Sequence, residues 1–374
     1  MNRINLLFIA IFSSLIACAQ QIESSVKAKD ATSVTYTVED VVTELNIPWG
    51  MVFLPEGGML ITEKSGEIIH FKDGVKTEIQ GVPEVYVRGQ GGLLDLELHP
   101  DYKNNGWIYF TFASSKGKGD GGFTAIMRAK LDGASLAQNE LLYKGGPNTK
   151  KGQHFGGRIE FDNDGYLYFS IGDRGNRDEN PQDITRDGGK IYRLHADGRI
   201  PVDNPFVGKT GAKSAVYSYG HRNPQGLVKH YKTGEIWEHE HGPKGGDEIN
   251  IIQKGKNFGW PVISYGVNYD GTSLTDKTSN SGMEQPFFYW VPSIAPSGMT
   301  FVTSDIYPDW KGNLLVGSLK FKYIERLVIE GNKVVKREII LKDLGRVRNV
   351  RQGPDGYIYA AIEGEGIVKI IPNK

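Results

Sequence analysis

The chain has 374 residues, balances 44 Lys and Arg against 44 Asp and Glu, and carries 48 Gly with 11% aromatic residues. Zero net charge supplies no global field for a polyanion, which argues against nucleic acid as a partner. Turn-forming glycine with aromatic strand formers predicts an all-β protein and excludes a helical one.

The N-terminus, MNRINLLFIAIFSSLIACAQQ, reads as an export signal over residues 1–18. Arg3 gives the positive start, and residues 6–16 form an apolar core too short to span a bilayer. Ala17-Cys18-Ala19 is a small-residue site for ordinary secretion. LIAC, Leu15 to Cys18, has instead the form of a bacterial lipobox, whose Cys becomes a lipidated first residue. Cys18 is the only cysteine of the chain and sits at that one useful place, which favours a lipid anchor. Both readings export the protein, either to the periplasm or to a membrane anchor. The mature body has no disulfide although its compartment permits one. Residues 19–34 read as a polar tether, and 35–374 as one domain.

Within that domain six segments share one pattern: GGMLITEK (57–64), NGWIYFTFA (105–113), DGYLYFSIG (164–172), TGEIWEHEHG (233–242), KGNLLVGSL (311–319) and DGYIYAAIEG (355–364). Each is a turn glycine followed by a β-rich run, most are preceded by a short strand, and most are followed by another. The glycines are Gly58, Gly106, Gly165, Gly234, Gly312 and Gly356, spaced by 44 to 78 residues. The shortest spacings fit a four-stranded sheet, and the longer ones leave room for loops. The prediction is a six-bladed β-propeller, with a β-sandwich as the competing fold.

A hairpin returns the chain to its starting end, so the start of a blade's first strand and the end of its second share one face. Before first strands stand Gln90, His154, the run His221-Arg222-Asn223, Ser293, Arg346 and Arg348. At the ends of second strands stand His241, Gly242 and Pro243, and Lys320. Five blades thus send unusual residues to one end of the axial channel. Arg222, Lys320, Arg346 and Arg348 gather four cations there, suited to a compact ligand with several carboxylates or phosphates. The Gly242-Pro243 turn can expose two consecutive carbonyls, a hard-oxygen site suited to Ca²⁺. Gly156 and Gly157, beside His154, are expected to leave space for a ligand.

These motifs resemble the soluble, PQQ-dependent sugar dehydrogenases of the glucose/sorbosone dehydrogenase group, and the aldose sugar dehydrogenase branch in particular. HFGGR, GHRNPQG, EHGPKGGDEIN, GKNFGWP, EQPFFYW and RVRNVRQGPDGYIY fall in the family's order, and the likeness runs from PWGMVFLPEG (48–57) to the end of the chain. The resemblance implies that His154 is the catalytic base, that Gln90 lies beside the reacting centre, and that Arg222 and Asn223 face the quinone. It implies that Lys320, Arg346 and Arg348 hold the PQQ carboxylates and that the Gly242 and Pro243 carbonyls bind its calcium. His241 stands where the glucose-specific branch has a glutamine, and Ser293 where a threonine meets the cofactor. Gln153 replaces an acid before the base. Asp247 and Glu248 look like further calcium ligands of relatives, and equally like paired charges.

The chemistry so implied is oxidation of an aldose at C1 to a lactone. His154, neutral near pH 7, takes the hydroxyl proton, and the hydride goes to quinone carbon C5. Arg222 and Ca²⁺ stabilise the charge that develops on the adjacent oxygen. An external acceptor, a quinone or a cytochrome, then collects the electrons. Two rival functions fit a propeller: a calcium-dependent lactonase or esterase, which needs carboxylates converging in the channel, and a non-catalytic glycan- or protein-binding platform, which needs no cofactor. A homodimer is compatible with the sequence.

Overall fold

All six turn glycines adopt a left-handed backbone, with φ between 68° and 84°, and each lies between the first and second strands of a separate sheet. A residue with a Cβ is disfavoured in that region, so one residue type punctuates all six repeats. The computed structural model describes residues 26–30 and 36–373; the export signal and Cys18 lie outside the described residues, as does much of the tether.

The sheets are six four-stranded blades, antiparallel and mostly in chain order. Their first, axial strands are Pro48–Phe53 (blade 1), Leu93–Leu98 (blade 2), Ile159–Phe161 (blade 3), Pro224–Lys229 (blade 4), Pro296–Phe301 (blade 5) and Val347–Gln352 (blade 6). Blade 6 breaks chain order. Its outermost strand is the N-terminal Tyr36–Thr43, paired antiparallel with the C-terminal Gly366–Pro372, from Tyr36 opposite Pro372 to Thr43 opposite Gly366. The two ends of the domain therefore share one sheet, and the ring cannot open without breaking its hydrogen bonds. Lys29–Asp30, within the span read as a tether, adds a short parallel strand to the outer edge of blade 5.

Second strands such as Met59–Glu63, Ile236–Glu240, Leu314–Ser318 and Ile358–Ile362 are buried along their whole length. Both faces of a blade meet neighbouring blades, so Met59–Glu63, Leu314–Ser318 and Ile358–Ile362 read as near-continuous apolar runs rather than as alternations, whereas Ile236–Glu240 (IWEHE) buries polar side chains. The core is accordingly a set of interblade layers. Tyr109, Phe161, Phe169 and Tyr192 pack in the layer of blades 2 and 3, and Leu315, Ile324, Val347 and Ile358 in that of blades 5 and 6. Among the described residues no helix is long and apolar enough to cross a membrane.

On the axis, one side chain touches every other blade. Arg158, leading into the first strand of blade 3, donates from Nε to the Gln225 carbonyl of blade 4 at 2.6 Å and from Nη2 to the Arg348 carbonyl of blade 6 at 2.7 Å. Its Nη1 reaches Asp95 Oδ1 of blade 2 at 3.2 Å and the Trp49 carbonyl of blade 1 at 3.5 Å, and Nη2 lies 3.5 Å from Ser297 Oγ of blade 5. Its guanidinium also lies 4.0 Å from the Trp49 ring centroid. Asp95 completes the junction by accepting from Ile159 N. Arg158→Met should cost about 3–5 kcal/mol, because it strands a buried carboxylate. A lowered urea midpoint would show this, and adding Asp95→Asn should recover part of the loss.

Candidate active site

First strands begin, and second strands end, on one face of the disk, where an axial cavity of about 340 Å³ opens. Of the predicted residues, Gln90, His241, Arg346 and Arg348 line it directly. Blade 1, from which no site residue was predicted, adds Trp49 and Lys64, so all six blades reach this face.

His154 adjoins the cavity through Gln90, whose Oε1 accepts the His154 backbone N–H at 2.7 Å. The histidine has φ +56°, a conformation rare for a residue with a Cβ. Its Nδ1 lies 2.6 Å from Oδ1 of Asp173, which follows the second strand of blade 3. Asp173 is further fixed by Gly175 N–H on Oδ1 at 2.7 Å and by the Trp260 indole N–H on Oδ2 at 2.9 Å. Burial, aided by the nearby Arg222, pushes the His154 pKa down. Burial pulls Asp173 up, but its bond to His154, the charges of His154 and Arg222 and the Trp260 bond leave it below its ordinary value. The pair is therefore a carboxylate accepting from a neutral imidazole at Nδ1, which leaves the Nε2 lone pair for a proton.

Arg222 is buried at the start of blade 4. It donates from Nη1 to the His241 carbonyl at 3.0 Å and lies 5.2 Å from the Trp260 ring, while its Nε has no partner. Asn223 accepts Gly156 N–H at 3.2 Å, and its buried Nδ2 also has no partner. The four cations are not equivalent. Glu363, at the end of the second strand of blade 6, bridges Arg346 (2.7 Å) and Arg348, whereas the exposed Lys320 has no ion pair among the described residues. The mostly buried Arg348, beside the exposed Arg346, needs such a counter-charge.

His241 donates Nε2–H to the Pro296 carbonyl at 2.7 Å, and burial lowers its pKa to about 3, so it is a neutral, structural ring on the cavity wall. Ser293 turns to Asp247, donating within 2.8 Å of both carboxylate oxygens. The same carboxylate accepts the N–H groups of Gly242, Ile294 and Ala295, so it clamps the Gly242-Pro243 turn to the loop before blade 5. Neither carbonyl of that turn accepts a hydrogen bond among the described residues. Behind Arg222 lies a buried set formed by His221, Glu238, Glu240, Glu248 and Asn250. His221 Nδ1, Glu238 Oε1 and Asn250 Oδ1 in it lack hydrogen-bond partners, and burial followed by repulsion from Glu240 raises Glu238 and Glu248 strongly.

The reading of two neighbouring glycines needs correction. A Cβ on Gly156 would meet the backbone of Ile171 and Gly172, and one on Gly157 would meet Leu94, so packing within the fold already fills those spaces. They seat the chain close to blades 2 and 3; they do not clear space for a ligand. Asp173, Lys64 and Glu363 went unread in the sequence. All three stand at the ends of second strands, the rule that found His241 and Lys320, and each is an ordinary charged residue in its own segment.

The matching family model, Glucose / Sorbosone dehydrogenase, covers residues 45–369. The chain is 41% identical over 353 residues to aldose sugar dehydrogenase YliI of Escherichia coli, spanning 91% of this chain and 94% of that protein. The soluble aldose sugar dehydrogenase of E. coli in its apo form superposes with a TM-score of 0.87 at 40% identity, over 91% of this chain and all of that one. The PQQ-bound aldose sugar dehydrogenase of Streptomyces coelicolor superposes with a TM-score of 0.74 at 29% identity, over 92% of this chain and all of that one. With a six-bladed propeller, a family model matched over residues 45–369 and a relative 41% identical over nearly its whole length, the chain belongs to the glucose/sorbosone dehydrogenase family.

Proposed function

We propose that the protein oxidises aldose sugars at C1 to lactones, using PQQ and Ca²⁺ bound at the axial cavity and an external quinone or cytochrome as final electron acceptor. The observation that carries this reading is the His154–Asp173 pair beside a cation-lined axial cavity. The donor set fits the cofactor: Lys320, Arg346 and Arg348 suit its carboxylates, and the unpartnered Arg222 Nε and Asn223 Nδ2 are donors without acceptors. The two free carbonyls of Gly242 and Pro243 suit calcium. When bound, PQQ supplies the two-electron acceptor and Ca²⁺ a Lewis acid, neither of which side chains provide.

The protein's own part is positional and protolytic. His154 Nε2 takes the C1 hydroxyl proton, and Asp173, bonded to Nδ1, holds the tautomer that makes this possible and stabilises the imidazolium formed. Gln90 fixes the loop that carries the base, and Arg222 sets a positive charge where negative charge develops. Among the residues lining the cavity Glu363 is the one carboxylate, and it is tied to two arginines. That favours an anionic cofactor over a calcium-dependent hydrolase. Export and a lipid anchor at Cys18 complete the proposal, with Glu248 and its buried neighbours as a second place for a hard cation.

Titrating the purified protein with PQQ and Ca²⁺ and following dye reduction across an aldose panel tests the reading; activity should need both additions. His154→Ala should bind PQQ normally and lose about 10²–10⁴ in kcat. Asp173→Asn should also slow turnover, by about 10² or more. Because Asp173 holds the His154 pKa up, its removal should move the acid limb of kcat/KM to lower pH, from a wild-type limb already below the ordinary histidine value. Lys320→Gln should weaken PQQ binding about tenfold, read by fluorescence quenching without substrate.

A further inference from the structure

A second cavity, of about 370 Å³, opens where blades 2 and 3 meet and shares no lining residue with the axial one. Four cations line it, Lys151, Arg174, Arg186 and Lys213, against one carboxylate, Asp187. Asp187 is already saturated. Its Oδ1 accepts the hydroxyls of Tyr143 (2.7 Å) and Tyr192 (3.0 Å), and its Oδ2 accepts Gly146 N–H (3.1 Å) and pairs with Lys213 (3.0 Å). Arg186 pairs with Glu179 at 2.5 Å, and Lys151 bonds only a carbonyl, that of Gly175, at 2.6 Å.

Arg174 has no ion pair among the described residues, and the one carboxylate whose charge acts on it, Asp173, is already bonded to His154 and Trp260. Arg174 is fully buried, its guanidinium lies 3.3 Å from the Phe155 ring centroid, and its hydrogen bonds go to the carbonyls of Gln153, Lys151 and Gly122, with Nε unpartnered. A buried cation whose hydrogen bonds all go to carbonyls, and whose nearby carboxylate is shared with other donors, leaves positive potential in the adjacent space, where low dielectric strengthens attraction for an anion. The remaining wall is mixed. Phe123 and Pro147 are apolar, while Asn148, Thr149 and Asn176 are amides and a hydroxyl, a surface suited to a polyol.

We propose that this cavity is a second binding site for an oxyanion carried on a sugar, either the phosphate of a sugar phosphate or the carboxylate of a sugar acid. Calorimetric titration of the full chain at low salt, with glucose 6-phosphate, gluconate, glucose and inorganic phosphate, tests it. One or both anionic sugars should bind at one site, more tightly than glucose or inorganic phosphate; which of the two binds better identifies the group. Saturating PQQ and Ca²⁺ should leave this binding unchanged. The variant Lys151→Gln with Arg186→Gln, both at exposed positions, should weaken it at least about tenfold without shifting the thermal melt. Displacement by PQQ would place the ligand on the axial cations and overturn the proposal. So would equal binding of inorganic phosphate or glucose, full affinity in the double variant, or no binding of either anionic sugar.

Discussion

The guanidinium of Arg158 ties the ring together at its axis. A propeller buries apolar layers between neighbouring blades, but such layers are non-directional and act only pairwise. Arg158 instead sets the positions of all six inner strands relative to one point, through Trp49, Asp95, Gln225, Ser297 and Arg348. Full burial of its charge is tolerated because Asp95 and a set of carbonyls surround it. It lies four residues after His154 and bonds the carbonyl of Arg348, so the same junction locates both that histidine and a cavity cation.

Above that hub the geometry around His154 is assembled from separate blades. His154 belongs to blade 3 but takes its backbone support from Gln90, before blade 2, while its partner Asp173 is oriented by Trp260, from the long connection within blade 4. With its backbone held at positive φ by Gln90 and its Nδ1 by an Asp173 that Trp260 orients, the imidazole has little freedom, as the proposed general base requires. The Gly242-Pro243 turn shows the same logic. Its free carbonyls keep their aim because Asp247 ties the turn to the loop of the next blade.

Charge is balanced for the chain as a whole but not locally. Glu363 offsets Arg346 and Arg348, Asp173 bonds His154, and the exposed Lys320 has no ion pair among the described residues, its ammonium lying 4.9 Å from the Phe321 ring. Arg174, one residue beyond Asp173, lines the second cavity with no ion pair among the described residues. The axial and lateral cavities are thus both lined by more cations than carboxylates.

The sequence by itself determined the blade count, because a turn that needs φ above zero selects glycine at each of six equivalent places. The face to which Gln90, His241, Arg346 and Arg348 come is legible there too, since hairpin geometry is local and the order of strands follows the order of repeats. Tertiary structure alone decided the partners. That Tyr36–Thr43 closes blade 6, that Arg158 spans the ring, that Ser293 bonds Asp247 and that Glu363 neutralises two arginines all depend on residues far apart in sequence. Asp173 lies nineteen positions from His154, across a hairpin that brings them to 2.6 Å. Gly156 and Gly157 misled for the same reason. A missing side chain looks the same in sequence whether the space it leaves goes to a ligand or, as here, to another strand.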